Sequence, residues 1–323
     1  MKRVLSGIQP SGALHIGNYF GMMRQMIAYQ DSADLFCFIA NYHAMTSLGE
    51  GPALARGTVD AAVSFLALGL DPDKSTFWVQ SDVPEVQELA WILSTLAPMG
   101  LLERCHSYKD KVAKGIAPNH ALFAYPVLMA ADILLFQSHA VPVGKDQKQH
   151  LEVTRDLAQK FNAAFGDTFV VPEAEIDDDL AVIPGVDGQK MSKSYGNTID
   201  IFTDRKTLEK TVMSVVTDAT PIGEPKNPDT CNLFALYRLF LAPEGVAALR
   251  ERYLAPGLKY SDVKKELIDA VWTYFEPHRA RREELLRRPG DVLDILRAGA
   301  AKAREAAAAT LAQVRRKVGI AYW

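Results

Sequence analysis

Short apolar runs alternate with longer segments of helical periodicity through the first half of this chain. Four apolar runs predict buried strands, over residues 4–5, 34–40, 75–80 and 140–143. Apolar residues at helical spacing predict the helices, over residues 53–70, 84–96, 122–137 and 147–165. Strands that alternate with helices are typical of an α/β fold with a doubly wound parallel sheet. In such sheets ligands bind at the carboxyl ends of the strands, so we expect the loops after these strands to line one crevice.

The pattern changes after about residue 197, where helical periodicity continues without a convincing strand. Helices are predicted over residues 205–216, 232–241, 261–286 and 291–317. The chain therefore divides into an α/β domain over 1–185, a loop and linker over 186–203, and a smaller all-helical domain over 204–323. Basic residues recur in the last two helices, interleaved with glutamates. These basic residues have two possible interpretations: they form a surface that binds a polyanion, or they form ion pairs with the glutamates on the helix surface.

The composition is that of an ordinary globular protein and excludes several other classes. The chain has 323 residues, 48% of them hydrophobic and 23% charged, and no stretch approaches the ~20 consecutive apolar residues that span a membrane. The N-terminus leads straight into the first predicted strand, so we expect no signal peptide. Three separated cysteines, Cys37, Cys105 and Cys231, favour a reducing cytoplasm and are too few for an all-cysteine zinc or iron–sulfur site. The net charge of −3 argues only mildly against nucleic-acid binding, because a local basic face is enough.

A stretch rich in glycine, serine and proline connects the first predicted strand to the next helical segment, over residues 6–18. Glycines let the backbone approach a ligand closely, and a helix start offers free N–H groups and a partial positive charge. A phosphate-bearing ligand therefore fits this loop, although an ordinary connection between a strand and a helix has the same composition.

Two short signatures resemble those of class I aminoacyl-tRNA synthetases. His15-Ile16-Gly17-Asn18 is similar to the HIGH signature, with Asn18 in place of the second histidine, and residues 190–194 read KMSKS. The resemblance implies ATP as a substrate, with Mg²⁺ accompanying the ATP and no zinc or iron–sulfur cluster. It implies that His15, Lys190 and Lys193 are catalytic, with the two lysines neutralising charge as pyrophosphate leaves. The implied ATP site comprises Gln9, Pro10, Ser11, Gly17, Asn18, Gly144, Lys145, Asp146, Ile183, Lys190, Met191, Ser192, Lys193 and Ser194.

A lone carboxylate interrupts an apolar face of the predicted helix over residues 122–137. Tyr125, Met129 and Asp132 lie at i, i+4 and i+7, on one side of that helix. Burying Asp132 is costly without a partner, and an indole N–H, a donor without acceptor capacity, suits a carboxylate in an apolar slot. Met129 offers a sulfur contact to such a ring. The segment over residues 125–134 is similar to the tryptophan pocket of tryptophanyl-tRNA synthetases.

The same resemblance assigns further residues to the amino acid and the nucleotide. Gly144 and Asp146 would contact the nucleotide ribose, and Gln147 would contact the ammonium group of the amino acid. For Asp146 the alternative is an ordinary helix N-cap. Lys145 stands where the family often has an acidic residue. His43 would touch the amino acid, with a purely structural histidine as the alternative. The implied tryptophan site comprises Asp132, Tyr125, Met129, Gln147, His43 and, where the family often has an aromatic residue, Leu5.

The resemblance as a whole implies an ATP-dependent aminoacyl-tRNA ligase of the tryptophanyl family. Such an enzyme forms tryptophanyl-adenylate and pyrophosphate, and then passes tryptophan to the terminal adenosine of tRNA(Trp). A Rossmann-like domain would bind ATP and tryptophan, the helical domain would bind the tRNA anticodon, and the protein would be a cytoplasmic homodimer without a membrane partner. Three alternatives stay open: a tyrosyl-tRNA synthetase, a HIGH-type nucleotidyltransferase with no tRNA role, and a catalytically silent tRNA-binding paralogue.

Overall fold

The computed structural model describes residues 1–10, 12–46, 51–105, 115, 119–144, 147–175 and 183–322, with the side chains of 174 and 175 excepted. Three residues assigned to the ATP site, Ser11, Lys145 and Asp146, lie outside the described residues. Contacts divide the chain into two compact units. The first unit comprises Met1–Gly12, Met26–Asp178 and Leu285–Trp323, and the second comprises Ala13–Gln25 and Asp179–Glu284.

The sheet of the first unit is parallel throughout. Its strands are β1 (Arg3–Ile8), β2 (Asp34–Ile39), β3 (Ser75–Val79), β4 (Ala140–Pro142) and β5 (Glu173–Glu175). The order β3-β2-β1-β4-β5 places β1 between β2 and β4, so the direction of winding reverses there. All carboxyl ends lie at one edge of a parallel sheet, and the reversal opens a crevice at that edge. The predicted doubly wound α/β fold is confirmed, with β5 as an additional short strand.

The longer helices alternate with these strands and then continue alone. They are α1 (Gly51–Ala67), α2 (Glu85–Ser94), α3 (His120–Leu135), α4 (Lys148–Phe165), α5 (Arg205–Met213), α6 (Asn232–Tyr237), α7 (Pro243–Leu254), α8 (Tyr260–Tyr274), α9 (Glu276–Arg287) and α10 (Pro289–Val318). In the first unit α3 packs against both α2 and α4. Among the described residues, no helix combines the length and the apolar composition needed to cross a membrane.

Aromatic side chains fill the core beside the central strands. Phe38 of β2 stacks on Trp78 of β3, with ring centroids 5.5 Å apart and planes 25° apart. Phe136 packs on the same Trp78 at 4.9 Å. Gly7 of β1 pairs with Phe38, and a Cβ on Gly7 would lie 2.6 Å from the Phe38 ring. The glycine therefore makes room for the aromatic layer under the start of the glycine-rich loop.

Helix α10 packs on strand β3 with its backbone unusually close. A Cβ on Gly299 would lie 1.8 Å from the carbonyl oxygen of Phe77, and Ala303 and Ala307 on the same helix face are fully buried. Small residues at this spacing allow the close approach. The C-terminal helix thus belongs to the first compact unit, and the two units do not coincide with a linear division at residues 185 and 204.

Two arginines of α10 form ion pairs with α2. Arg304 pairs with Glu85 at 3.0 Å, and Arg315 pairs with Glu88. Arg315 lowers the pKa of the Glu88 carboxyl through this hydrogen bond. For these two basic residues the structure therefore favours the ion-pair interpretation over an open polyanion surface.

In the second unit, an aromatic cluster holds the segment that follows the glycine-rich loop. This segment is helical over Ile16–Asn18 and π-helical over Tyr19–Met23, and the α-helix that follows, Arg24–Ala28, belongs from Met26 onward to the first unit. The hydroxyls of Tyr19 and Tyr274 are 3.2 Å apart. Edge-on ring contacts complete the cluster, among Tyr19, Phe20, Phe240, Tyr274 and Phe275.

The helix predicted over residues 261–286 is wrong as a single element, because α8 and α9 are separate helices. The break falls at Phe275, which is fully buried in the aromatic cluster. Pro277 has no N–H to donate, so it cannot continue the hydrogen-bond ladder of α8, and Arg279 restarts it by donating to the Phe275 carbonyl at 2.8 Å. Helix α7 was also missing from the prediction.

Candidate active site

Asp132 is buried on α3 and has polar partners from two strand ends. Helix α3 begins after Asn119, whose side chain accepts the N–H of Leu122 at 2.8 Å. Asp132 is 3% exposed, its Oδ2 lies 2.7 Å from His43 Nε2, and both its oxygens lie 2.9 Å from Gln80 Nε2. His43 follows β2 and Gln80 follows β3 directly, so the carboxylate predicted on an apolar face meets donors at the carboxyl edge of the sheet.

A second polar chain links Tyr125 to Gln147 through His150. The Tyr125 hydroxyl is hydrogen-bonded to His150 Nε2, and His150 Nδ1 lies 2.9 Å from Gln147 Oε1. Because an amide oxygen only accepts, Nδ1 carries the ring proton and Nε2 accepts from Tyr125. Met129 is half-buried on the same helix as Tyr125. Tyr125 and Gln147, both assigned to the tryptophan site, are thus hydrogen-bonded to the same buried histidine.

Residues at the ends of β1 and β4 occupy the topological switch point. Gln9 is exposed and Pro10 buried directly after β1, and Gly144 is half-buried after β4. Because β1 and β4 are neighbours, Gln9 and Gly144 lie at the edge where ligands bind in this fold. Leu5, lower in β1, is 1% exposed and belongs to the aromatic core.

In the second unit, His15 caps the short helix that begins the HIGH-type signature. Its Nδ1 accepts the N–H of Asn18 at 3.3 Å, and Asn18 Oδ1 accepts the N–H of His15 at 3.2 Å. With Nδ1 an acceptor, the ring proton sits on Nε2. Burial, reinforced by the charge of Lys193, lowers the pKa of His15 to about 4, against an opposite effect of Asp200. His15 is therefore a neutral hydrogen-bond donor at pH 7 rather than a cation.

Backbone hydrogen bonds join the HIGH-type signature to the segment after the KMSKS signature. The N–H of Ile16 donates to the Ile199 carbonyl at 3.0 Å, and the N–H of Ile201 donates to the Leu14 carbonyl at 3.0 Å. The HIGH-type signature is therefore held by an antiparallel bridge between His15 and Asp200, six residues after the end of the KMSKS signature.

Gly17 lies against the KMSKS segment with no space for a side chain. A Cβ on Gly17 would lie 2.9 Å from His15 Nδ1 and 3.2 Å from Met191 Cβ. Met191 and Ile183 are both buried, and the N–H of Met191 donates to the Ile183 carbonyl at 2.9 Å. A bare backbone next to buried apolar side chains is a surface on which a planar ring can lie.

Asn197 organises the KMSKS loop. It is 2% exposed, and its Nδ2 donates to Asp187 Oδ1 at 2.7 Å and to the Lys190 carbonyl at 3.2 Å. Its Oδ1 accepts the N–H of Ser192 at 2.8 Å. A Cβ on Gly185 would lie 2.3 Å from the Asn197 amide, so the loop closes tightly around this side chain.

The loop presents cationic and hydroxyl groups at its surface. Lys190 and Lys193 are exposed, and the hydroxyls of Ser192 and Ser194 are 2.9 Å apart. A short 3₁₀ helix spans Lys193–Tyr195, and Gly196 after it takes the left-handed conformation with φ of 65°. Such an arrangement suits an anion with several oxygens.

Two cavities of the first unit border the helices and turns around this site. One of 670 Å³ is bordered by α1, the turn after β3 and α10. The other, of 210 Å³, is bordered by α2 and α3 and reaches His43 and Tyr125. Asp132 lines neither of them, but the second cavity is lined by His43 and Tyr125, two of the residues assigned to tryptophan.

Sequence reasoning missed three buried polar residues that hold the predicted ones: Gln80, His150 and Asn197. Each is a polar side chain at most 2% exposed. Gln80 carries one usable signal, since it directly follows a run that predicts a buried strand. His150 and Asn197 carry none, because polar residues are common in a helix start and in a turn-rich loop.

The family of this chain follows from comparison with known proteins. Residues 1–276 match the family described as class I tRNA synthetases (W and Y), and the chain belongs to that family. Within it, the tryptophan–tRNA ligase of Campylobacter jejuni (strain RM1221) is 53% identical over 98% of this chain and 100% of that protein. The tryptophan–tRNA ligase of Fusobacterium nucleatum subsp. nucleatum is 53% identical over 99% of this chain and 98% of that protein.

A solved structure agrees with these relatives. The tryptophanyl-tRNA synthetase of Campylobacter jejuni, in complex with ADP and tryptophan, matches with a TM-score of 0.93 and 53% identity, covering 98% of this chain and 99% of that one. The resemblance to the tryptophanyl branch, read from the two signatures and the Asp132 segment, is confirmed.

Proposed function

We propose that this chain is a tryptophan–tRNA ligase. It activates L-tryptophan with ATP, giving tryptophanyl-adenylate and pyrophosphate, and then transfers tryptophan to the terminal adenosine of tRNA(Trp). The observation that carries the proposal is the buried Asp132 carboxylate. In the described part of the chain it is held by Gln80 and His43, and by neither an arginine nor a lysine. A buried carboxylate with neither an arginine nor a lysine as partner suits a neutral N–H donor such as an indole.

The amino acid is recognised through the first unit. Asp132 accepts the indole N–H, and Met129 packs on the ring through its sulfur. Gln147 binds the ammonium group, and Tyr125, linked to it through His150, belongs to the same pocket. The site is completed by His43, which holds Asp132, and by Leu5.

The phosphates are handled mainly by the second unit. His15 donates its Nε2–H to a phosphate oxygen, and Lys190 and Lys193 stabilise the charge that builds up as pyrophosphate leaves. The neutral state of His15 supports a donor role, so the positive charge comes from the lysines and from the Mg²⁺ that enters with ATP. The described residues contain no cluster of three or more His, Cys, Asp or Glu that could hold a metal ion.

The nucleoside part of ATP lies on Gly17, beside Met191 and Ile183. The bare Gly17 backbone and the buried pair support a stacking surface for adenine. Further nucleotide contacts are assigned to Gln9, Pro10, Ser11, Asn18, Gly144, Lys145, Asp146, Ser192 and Ser194.

Transfer to tRNA and assembly involve other surfaces. The helical part of the chain, over residues 204–323 as divided by the sequence, binds the tRNA anticodon, and the enzyme acts in the cytoplasm as a homodimer. Exposed apolar side chains on and near α2 support a dimer contact, since Trp91 is 75% exposed and Met99 63% exposed. Sedimentation equilibrium that gives a monomer at micromolar concentration would remove the dimer from this proposal.

Pyrophosphate exchange into ATP tests the activation step. Exchange that depends on L-tryptophan and not on L-tyrosine is expected. The Asp132 carboxylate only accepts hydrogen bonds, which suits the indole N–H, whereas the tyrosine hydroxyl needs both an acceptor and a donor. Exchange driven by tyrosine alone would support the tyrosyl alternative, and no exchange at all would support a silent paralogue. Charging of tRNA(Trp) after exchange separates the ligase from a nucleotidyltransferase.

A further inference from the structure

Gln80 has a fixed orientation between the end of β3 and Asp132. It is 2% exposed, and its Oε1 accepts the N–H of Tyr42 at 3.0 Å. Because that oxygen is taken by a donor, the amide cannot be flipped, and its NH₂ group faces Asp132. The Gln80 nitrogen is 2.9 Å from each carboxylate oxygen, so it donates to both oxygens rather than to one of them.

The two oxygens of Asp132 are not equivalent. Oδ2 accepts from Gln80 and also from His43 Nε2 at 2.7 Å. Among the described residues, Oδ1 accepts from Gln80 alone. A carboxylate has about four acceptor positions, so Oδ1 retains capacity for one more donor.

We propose that Gln80 is a positioning residue for tryptophan specificity, holding Asp132 so that Oδ1 receives the ring N–H of the substrate. This inference rests on the proposed function and adds a residue that does not itself touch tryptophan. A carboxylate held by Gln80 and His43 has little rotational freedom left, so its open acceptor points in one direction. A ligand with a ring N–H is then favoured over one of equal shape without it.

The competing explanation is that Gln80 only ties the end of β3 to the turn after β2. The neighbouring pair of Asn41 and Ser81 makes the same tie independently. Asn41 Nδ2 donates to Ser81 Oγ at 2.8 Å, and the N–H of Ser81 donates to Asn41 Oδ1 at 3.1 Å. Ser81→Ala therefore removes a bond of this tie without changing a partner of Asp132, and is the matched control.

The test compares two amino acids in the pyrophosphate exchange reaction. L-tryptophan carries the ring N–H, and L-3-(benzothien-3-yl)alanine has sulfur in its place with nearly the same shape. Gln80→Met is expected to raise the KM for tryptophan about tenfold, equivalent to ~1.4 kcal/mol, and the KM for the analogue less than about twofold. Ser81→Ala is expected to leave the ratio of the two KM values at its wild-type level.

Gln80→Leu removes the same donor with an apolar side chain of similar volume and different shape. It is expected to lose the preference for tryptophan in the same way, and it serves as the readout if Gln80→Met does not fold. If both variants raise the two KM values alike, or keep the wild-type preference, Gln80 is only structural and the inference is overturned.

The wild type and Asp132→Ala distinguish failure of this inference from failure of the proposed function. A wild type with no preference for tryptophan over the analogue contradicts the Asp132 assignment itself. A wild-type preference that Asp132→Ala removes and the Gln80 variants retain contradicts the role of Gln80 alone.

Discussion

At the scale of single residues, His15 illustrates how a cap, burial and a nearby charge determine a protonation state. Its Nδ1 accepts the N–H of Asn18, and burial, together with the charge of Lys193, lowers its pKa and so opposes a second proton. The imidazole therefore acts through one N–H only. Hydrogen bonds fix the orientation of two other side chains in the same way: Gln80 orients Asp132, and His150 orients Gln147.

The depressed pKa of His15 makes stability depend on pH in a defined window. The pKa is about 4 in the folded protein and about 6.5 in an unfolded chain. Between these values the unfolded chain binds the extra proton, so the free energy of unfolding falls as the pH drops from 6.5 towards 4. His15→Asn keeps an N-cap acceptor and removes this titration. Urea unfolding at pH 7 and at pH 4.5 measures how much free energy of unfolding is lost between these two pH values. This loss should be about 2 kcal/mol smaller in His15→Asn than in the wild type. An equal loss in the two proteins would contradict the lowered pKa of His15.

Gly17 should not tolerate the smallest side chain. A Cβ there would lie 2.9 Å from the His15 ring, whereas Gly21 has no neighbouring atom within 4 Å of an added Cβ. Gly17→Ala is expected to lower kcat/KM for ATP by about tenfold or more, since it displaces the ring that donates to a phosphate. Gly21→Ala is the control and should stay within about twofold. Steady-state exchange at varied ATP measures both, and a normal Gly17→Ala enzyme would remove Gly17 from the nucleotide site.

At the scale of secondary-structure elements, predictability follows the strength of the apolar pattern. The four strands named from the sequence are present because continuous apolar runs are buried on both faces of a parallel sheet. β5 was not predicted because its sequence, Glu-Ala-Glu, contains no apolar run, whereas β4 lies in the apolar run over residues 140–143. β5 is added to the sheet by pairing with β4. The break between α8 and α9 was missed because helical periodicity continues across Pro277 in the sequence.

The position of α10 could not be predicted from its own sequence. Periodicity gives a helix one apolar face but does not name the element that this face meets. Here the partner is β3, and Gly299 allows contact with the strand backbone. The site shows the same limit, since a lone carboxylate on an apolar face indicates Asp132, whereas buried amides such as Gln80 stand out only after folding.

Gly299→Ala should destabilise the packing of α10 on β3. The added Cβ would lie 1.8 Å from the Phe77 carbonyl oxygen, which is backbone and cannot rotate away. Overpacking of this kind costs about 1–3 kcal/mol. Gly290→Ala in the same helix meets no atom within 4 Å and should be neutral or stabilising. Thermal unfolding of both variants measures the difference, and equal melting temperatures would contradict the close contact.

At the scale of the whole molecule, the two halves of the proposed chemistry belong to different compact units. The residues assigned to tryptophan lie in the first unit, and His15, Gly17 and the KMSKS lysines lie in the second. Substitutions in the two units should therefore damage different kinetic constants. The sequence predicted both sets through short motifs, but not which unit each set would join.

Lys193→Ala tests this separation from the side of the phosphates. Removing a cation that stabilises the leaving pyrophosphate should lower kcat about 10²-fold and leave the KM for tryptophan close to its wild-type value. Lys206→Ala, another exposed lysine of the second unit, is the control. Pre-steady-state formation of adenylate measures the rate, and a variant with poor ATP binding but normal turnover would contradict the role.

The central claim, that Asp132 receives the ring N–H of tryptophan, is tested most directly by the two KM values of Asp132→Ala. With the buried acceptor removed, the KM for tryptophan should rise about 30-fold or more, the cost of one lost hydrogen bond to a charged group. The KM for ATP should change less than about threefold, as should both constants in the exposed control Asp156→Ala. An equal rise of both KM values in Asp132→Ala would contradict the account.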